Sequence, residues 1–147
     1  MSSPDVLIGH TLPQLTKHVT QEQVTAYAHA SGDFNPIHLD AEFAKSTQFG
    51  SRIAHGMLIL AFISEMMSTE FPDSWPSSGT LKVRFRAPVY PGETVTTFGE
   101  VIGVEESSPS SRLISCRVGC KKPDGTEAIS GQATVVIAES RQTKKEG

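Results

Sequence analysis

The sequence predicts an α+β protein in which an antiparallel sheet curves around one long, buried helix. Three observations carry that prediction. Helical patterns fill the first half of the chain and strand patterns the second, the order expected of α+β proteins with antiparallel sheets. The segment opening at Gly56, GMLILAFISEMMSTEF, contains Met57–Ile63 with no polar residue. Its first two turns therefore lack a solvent face and need protein around them, and the run is far short of the roughly 20 apolar residues that span a bilayer. After Pro76 the period changes to two: Leu81, Val83, Phe85 and Ala87 alternate with Lys82, Arg84 and Arg86, as in a half-buried strand.

The elements follow in order. Gln14–Val19 reads as a short strand. Thr20 is a helix N-cap, with Gln23 three residues on to complete a capping box, and the helix runs over Gln21–Ala30 until Ser31 and Gly32. Asn35 before Pro36 is biased away from helical dihedrals, and Pro36 suits the first turn of a new helix capped by Asn35. Asp40–Lys45 is a short helical stretch and Thr47–Ile53 a loop. The helix from Gly56 ends at Pro72. The strand at Leu81–Ala87 is closed by Pro88–Gly92 (PVYPG). Glu93–Glu106 is a second strand, Ser107–Ser111 a loop, Arg112–Lys122 a third strand, Pro123–Gly125 a tight turn, and Thr126–Ala138 a fourth strand.

The 147 residues fit one domain, expected over residues 6–138. A polar C-terminal tail, ESRQTKKEG over residues 139–147, is expected to be flexible. Thirteen basic and 16 acidic residues give a net charge of −3, which argues against nonspecific nucleic-acid binding. Mean hydropathy is −0.18, so neither a disordered nor a membrane protein is expected. Met1–Gly9 shows no basic cluster followed by an apolar core, so no secretory signal is expected. Cys116 and Cys120, the two cysteines, lie about 13 Å apart along an extended segment, too far for a disulfide. A reducing, cytoplasmic compartment is the expectation.

The chemistry concentrates in Ser31-Gly32-Asp33-Phe34-Asn35-Pro36-Ile37-His38. A regular helix would not bring residues five apart onto one face, but a Gly–Asn–Pro bend lets the carboxylate of Asp33 and the imidazole of His38 converge on one water. The carboxylate accepts a proton and the imidazole accepts or donates one near neutral pH. One Asp near one His is a weak signal, and without further information Asp33 as a cap and His38 as a packing residue is the favoured explanation.

That information comes from a resemblance. Tyr27 … SGDFNPIH over Ser31–His38 … Ala44, followed by Ile53-Ala54-His55-Gly56-Met57, closely resembles the signature of the MaoC-like hydratases and dehydratases, which include the (R)-specific enoyl-CoA hydratases. The strand-rich second half, with PVYPGE, resembles the same family, so the likeness covers nearly the whole chain. Ala30 departs from the larger aliphatic residue or Gly usual there, at a position that packs. The resemblance implies a hot dog fold, an antiparallel sheet wrapped around a central helix. It implies action on acyl thioesters, coenzyme A being part of the substrate, with no metal or redox cofactor. It implies Asp33 and His38 as the catalytic dyad, the Gly56 N–H on the thioester carbonyl oxygen, and Ser64 in support. It also implies a homodimer with the acyl site near the subunit interface.

Elementary chemistry agrees. Hydration of a 2-enoyl thioester builds negative charge on the carbonyl oxygen, and a helix N-terminus offers free N–H groups and partial positive charge. Gly56 lets a substrate approach the backbone. Asp33 takes a proton from water while His38 orients that water and delivers a proton at Cα, or the two exchange roles. Asn35 organises the bend, and His55 shapes the turn before the helix. His10, His18 and His29 lack ligand-like spacing, and Met57, Met66 and Met67 read as core or interface residues. Lys82, Arg84 and Arg86 would suit the phosphates of coenzyme A, but a solvated strand face is commoner and is the reading adopted. The rival functions are a dehydratase serving acyl carrier protein or polyketide thioesters, a hot dog thioesterase, and a non-catalytic acyl-thioester binder. Thioesterases of this fold usually carry a carboxylate on the central helix; here Glu65 is the only acid before its last turn.

Overall fold

The computed structural model describes residues 6–138; the tail expected over residues 139–147 lies outside them. The chain forms β1 (Thr16–His18), α1 (Gln21–Ser31), α2 (Pro36–Leu39), α3 (Ala41–Lys45), α4 (Gly56–Glu70), α5 (Ser74–Ser78), β2 (Thr80–Phe85), β3 (Thr94–Ser108), β4 (Ser111–Lys121) and β5 (Glu127–Ala138). All strands join one antiparallel sheet in the order β1-β3-β4-β5-β2. This is the hot dog arrangement, with β1 and β2 at the two edges.

The caps explain where the helices begin and end. The Thr20 hydroxyl accepts from the Gln23 N–H at 3.0 Å, although Gln23 Oε1 is buried without a partner, so that oxygen takes no part in the box. Gly32 ends α1 at φ 79°, in the left-handed region, where a side chain would be strained. Asn35 caps α2 through Oδ1, and Asp40 caps α3 by accepting from Glu42 and Phe43 N–H.

The core lies between α4 and the concave face of the sheet. Ile59, Phe62, Ile63, Met66 and Met67 of α4 pack in one cluster with Val95, Val101, Ile114, Cys116, Val118 and Val135. Full enclosure of α4, expected from its run of apolar residues, does not hold for the single chain. Met57 is 56% exposed and Ala61 is also exposed, because the sheet covers one side of the helix only. The short helix α5 was not expected either; Pro76 is tolerated there because it falls within the first turn. Its Trp75 indole N–H donates to the Ser64 hydroxyl at 2.9 Å, tying α5 to α4. Among the described residues no helix is long and apolar enough to cross a membrane.

Candidate active site

The Asp33–His38 bend is fixed by hydrogen bonds within it and to its neighbours. The Asn35 N–H donates to Asp33 Oδ1 at 3.2 Å and the Ile37 N–H to Asn35 Oδ1 at 3.0 Å, successive local turns of the kind Asp and Asn favour. Gln21 Nε2 of α1 donates to the His38 carbonyl at 3.0 Å, and the Ile53 N–H donates to the Ile37 carbonyl at 3.2 Å. The loop before α4 is thereby held against α2, and the Ala54 N–H, bonded to the Val89 carbonyl at 2.8 Å, holds it against the segment after β2.

His38 is buried at 8% exposure. Its Nδ1 bonds the Ile53 carbonyl at 2.8 Å. A carbonyl only accepts, so the proton of that bond is on Nδ1, and in the neutral ring Nε2 keeps a lone pair for chemistry. Asp33 is exposed, with a carboxylate open to water. One nitrogen or oxygen from each of Asp33, His38 and His55 lies within 4.8 Å of the other two, a span that one bridging water covers. Asp33 and His38 are therefore close enough to act on one molecule.

His55 is the residue whose part the sequence understated. It is buried at 2% exposure, and its ring stacks on His38 with centroids 3.8 Å apart and planes 23° from parallel. Its Nε2–H donates to the main-chain carbonyl of Asp33 at 3.0 Å, and the Tyr27 ring lies 4.8 Å from the His55 ring, centroid to centroid, tilted by 59°. One side chain thus fixes the His38 ring plane and the Asp33 backbone. Its place beside Gly56 in the sequence was visible; the contact across 22 residues was not. By composition the three residues resemble a metal-ligand set. However, stacked rings carry their in-plane lone pairs side by side and do not aim them at a common point, which suits tetrahedral ligation poorly.

Gly56 is the first residue of α4, and His55, the cap, makes no side-chain bond there. N–H groups of a first turn have no acceptor within the helix. A Cβ at Gly56 would lie 2.9 Å from Cε1 of Phe85, so glycine keeps this approach narrow but passable. Beside it is a cavity of about 360 Å³ whose lining includes Phe49, Ile53, Gly56, Ile59, Phe85 and Arg86. It is mostly apolar, as an acyl chain requires. Asp33 and His38 are not in its lining; the link is Ile53, whose carbonyl holds His38. Ser64 is about 12 Å along α4 from Gly56, with its hydroxyl engaged by Trp75.

Comparison with known proteins agrees with this architecture. The model of the MaoC like domain matches residues 6–118. An (R)-specific enoyl-CoA hydratase of Rhodospirillum rubrum is 34% identical over 84% of this chain and 83% of its own. A mitochondrial 3-hydroxyacyl-[acyl-carrier-protein] dehydratase of Arabidopsis thaliana is 31% identical over 88% of this chain and 76% of its own. The solved structure of an (R)-hydratase from Aeromonas caviae involved in PHA biosynthesis superposes with a TM-score of 0.78 at 29% identity, over 90% of this chain and 98% of that one. With the domain model covering most of its length and the hot dog sheet ordered around α4, this chain belongs to the MaoC-like family of hydratases and dehydratases.

Proposed function

We propose that the protein is a hydro-lyase that reversibly adds water across the double bond of a trans-2-enoyl thioester, giving the (R)-3-hydroxyacyl thioester. The observation that carries this reading is the approach of Asp33 and His38 within 4.8 Å, together with the His38 bond to Ile53 that leaves Nε2 free. Asp33 removes a proton from water as the oxygen attacks Cβ, and His38 orients that water and delivers a proton to Cα; the reverse sequence dehydrates. The Gly56 N–H stabilises the charge that gathers on the thioester oxygen. Only water is consumed and no electrons change hands, so the reaction calls for no redox group, and Asp33 and His38 can carry the proton transfers. Asn35 keeps the bend in shape, and Ser64 supports the site at a distance by fixing α5 against α4.

A thioesterase reading would use Glu65. Its carboxylate is on the surface, 2.8 Å from Lys17 Nζ, so the hydratase reading is favoured. Activity on acyl carrier protein thioesters remains the second reading, supported by the carrier-protein dehydratase among the relatives. The free, buried cysteines suit a reducing, cytoplasmic compartment.

The test is loss of enoyl absorbance with enoyl-CoA substrates of graded length, the product's configuration being determined. Asp33→Asn and His38→Gln are each expected to lower turnover by about 10²-fold or more, the scale of lost acid–base catalysis. Near-normal turnover in either variant, or release of free thiol from the substrate, would overturn the proposal.

A further inference from the structure

Histidine is a poor choice for position 55 on grounds of stability alone. His55 is the N-cap of α4, yet its side chain makes no capping bond, where Ser, Thr, Asp or Asn would satisfy a first-turn N–H. Its ring is buried at 2% exposure, and its Nδ1 has no hydrogen-bond partner among the described residues, a condition that buried polar atoms normally avoid. A serine would cap the helix, and a phenylalanine would fill the space without an orphaned nitrogen. Residues that break local rules in this way concentrate at functional sites.

What the ring does instead is directed at Asp33 and His38. Its Nε2–H reaches the main-chain carbonyl of Asp33 and so fixes the backbone that carries the carboxylate. Its face lies on His38 at 3.8 Å and 23°. His38 is held otherwise by the bond from Nδ1 to the Ile53 carbonyl. A single bond lets a ring rock about it; a second ring against its face sets the plane, and with it the direction of the Nε2 lone pair. Tyr27 of α1 stands beside the His55 ring and is itself packed against the core. The N–H and the ring face are therefore two devices, one acting on Asp33 and the other on His38.

We propose that His55 is a positioning residue for the hydration reaction. Its N–H sets where the Asp33 carboxylate stands, and its ring face sets where His38 Nε2 points. The inference rests on the hydratase reading and deepens it by naming the group that aligns the two proton-transferring side chains. Misplacement of reacting groups by about 1 Å costs about 10²-fold in rate, so alignment is worth an uncapped helix end and an orphaned nitrogen.

Three variants separate the two devices. His55→Phe keeps a flat ring against His38 and removes the N–H. His55→Gln keeps an N–H and removes the ring. His55→Ala removes both. With an enoyl-CoA, kcat is expected to fall about tenfold in each of the first two and about 10²-fold in the third, with KM within about twofold of wild type. The melting temperature of His55→Phe is expected to stay within a few degrees of wild type, since the ring volume is kept and the orphaned nitrogen is gone. In an Asp33→Asn background, adding His55→Phe is expected to lower kcat by about twofold at most, because the N–H acts through that carboxylate. Nitrogen NMR of the histidine rings supplies a readout independent of turnover. The neutral His38 ring is expected to keep its proton on Nδ1 in the wild type and His55→Phe, and to average between tautomers in His55→Gln and His55→Ala.

Unchanged kcat in His55→Ala, a rise in KM in place of a fall in kcat, or a full tenfold loss on adding His55→Phe to Asp33→Asn would overturn the proposal. So would a kcat loss in His55→Phe that only follows a fallen melting temperature. His55→Phe and His55→Gln carry the test alone if His55→Ala does not fold. A wild type that hydrates no thioester would remove the hydratase reading instead, and a His38 tautomer unmoved in His55→Gln would still show that His55 does not align that ring.

Discussion

At the scale of single residues, the site depends on what each atom is left free to do. His38 spends Nδ1 on a carbonyl and keeps Nε2, while His55 spends Nε2 on the Asp33 backbone and offers its ring face to His38. Gly56 contributes by having no side chain. In Gly56→Ala the new methyl would press on the Phe85 ring at 2.9 Å. The clash is with the end of a side chain and not with backbone, so the ring can shift and the fold is expected to tolerate the change, with a melting temperature within a few degrees of wild type. Catalysis is expected to suffer more, because the methyl and the displaced ring would intrude on the contact proposed between the thioester oxygen and the Gly56 N–H. Loss of such a contact costs about 10²–10³ in rate. A kcat/KM for enoyl-CoA close to wild type, measured by the fall in enoyl absorbance, would show that this N–H is not the one used.

At the scale of elements, β4 turns Cys116 and Cys120 inward together, as residues of the same parity on a strand must be. Both thiols are free and buried. Burial pushes Cys116 up to about 11, with Glu70 adding to the effect, and pushes Cys120 up to about 12, from an ordinary value of 9.0. The unfolded chain therefore loses these protons first. Between about pH 9 and pH 11 the native state holds more protons than the unfolded state, so stability falls as pH rises through that window. The denaturant midpoint of the wild type is expected to drop relative to that of Cys116→Val/Cys120→Val over this range; parallel midpoints would contradict it. Native thiols are also expected to resist alkylation at pH 8 and to react fully once unfolded.

The same strand shows why the sequence was readable. Alternation fixes which side chains face inward whatever the neighbours are, so the strands of the second half were legible to within a residue or two. So were the caps at Thr20, Asn35 and Gly32 and the start of α4 at Gly56, because each depends on local bonding. What local bonding does not set was not legible. Trp75 enters a helical turn by reaching Ser64, and His55 meets Asp33 and His38 only after the chain has folded back over 22 residues. The basic alternation on β2 was visible, but that Arg117 of β4, two strands away, joins Lys82 and Arg84 on one face was not.

At the scale of the whole molecule, the unmatched surfaces point to a second copy. β2 is an edge with its outer hydrogen-bonding groups unpaired in the sheet. Phe85 at its end and Met57 in the first turn of α4 are both more than half exposed, and both lie beside Gly56. Sheet edges of this kind promote pairing with another chain unless they are protected. A helix that is apolar on its uncovered side needs a partner for the same reason as one that is apolar all round. A homodimer would cover these surfaces and complete the wall of the acyl cavity. Light scattering is expected to give twice the chain mass of 15.8 kDa. Met57→Glu, which would bury a charge in that contact, is expected to shift the species to monomer and to lower hydratase activity with it, while circular dichroism keeps the wild-type secondary structure. A monodisperse wild-type monomer with full activity would mean that α4 and β2 tolerate water as they are, and that the cavity beside Gly56 is complete within one chain.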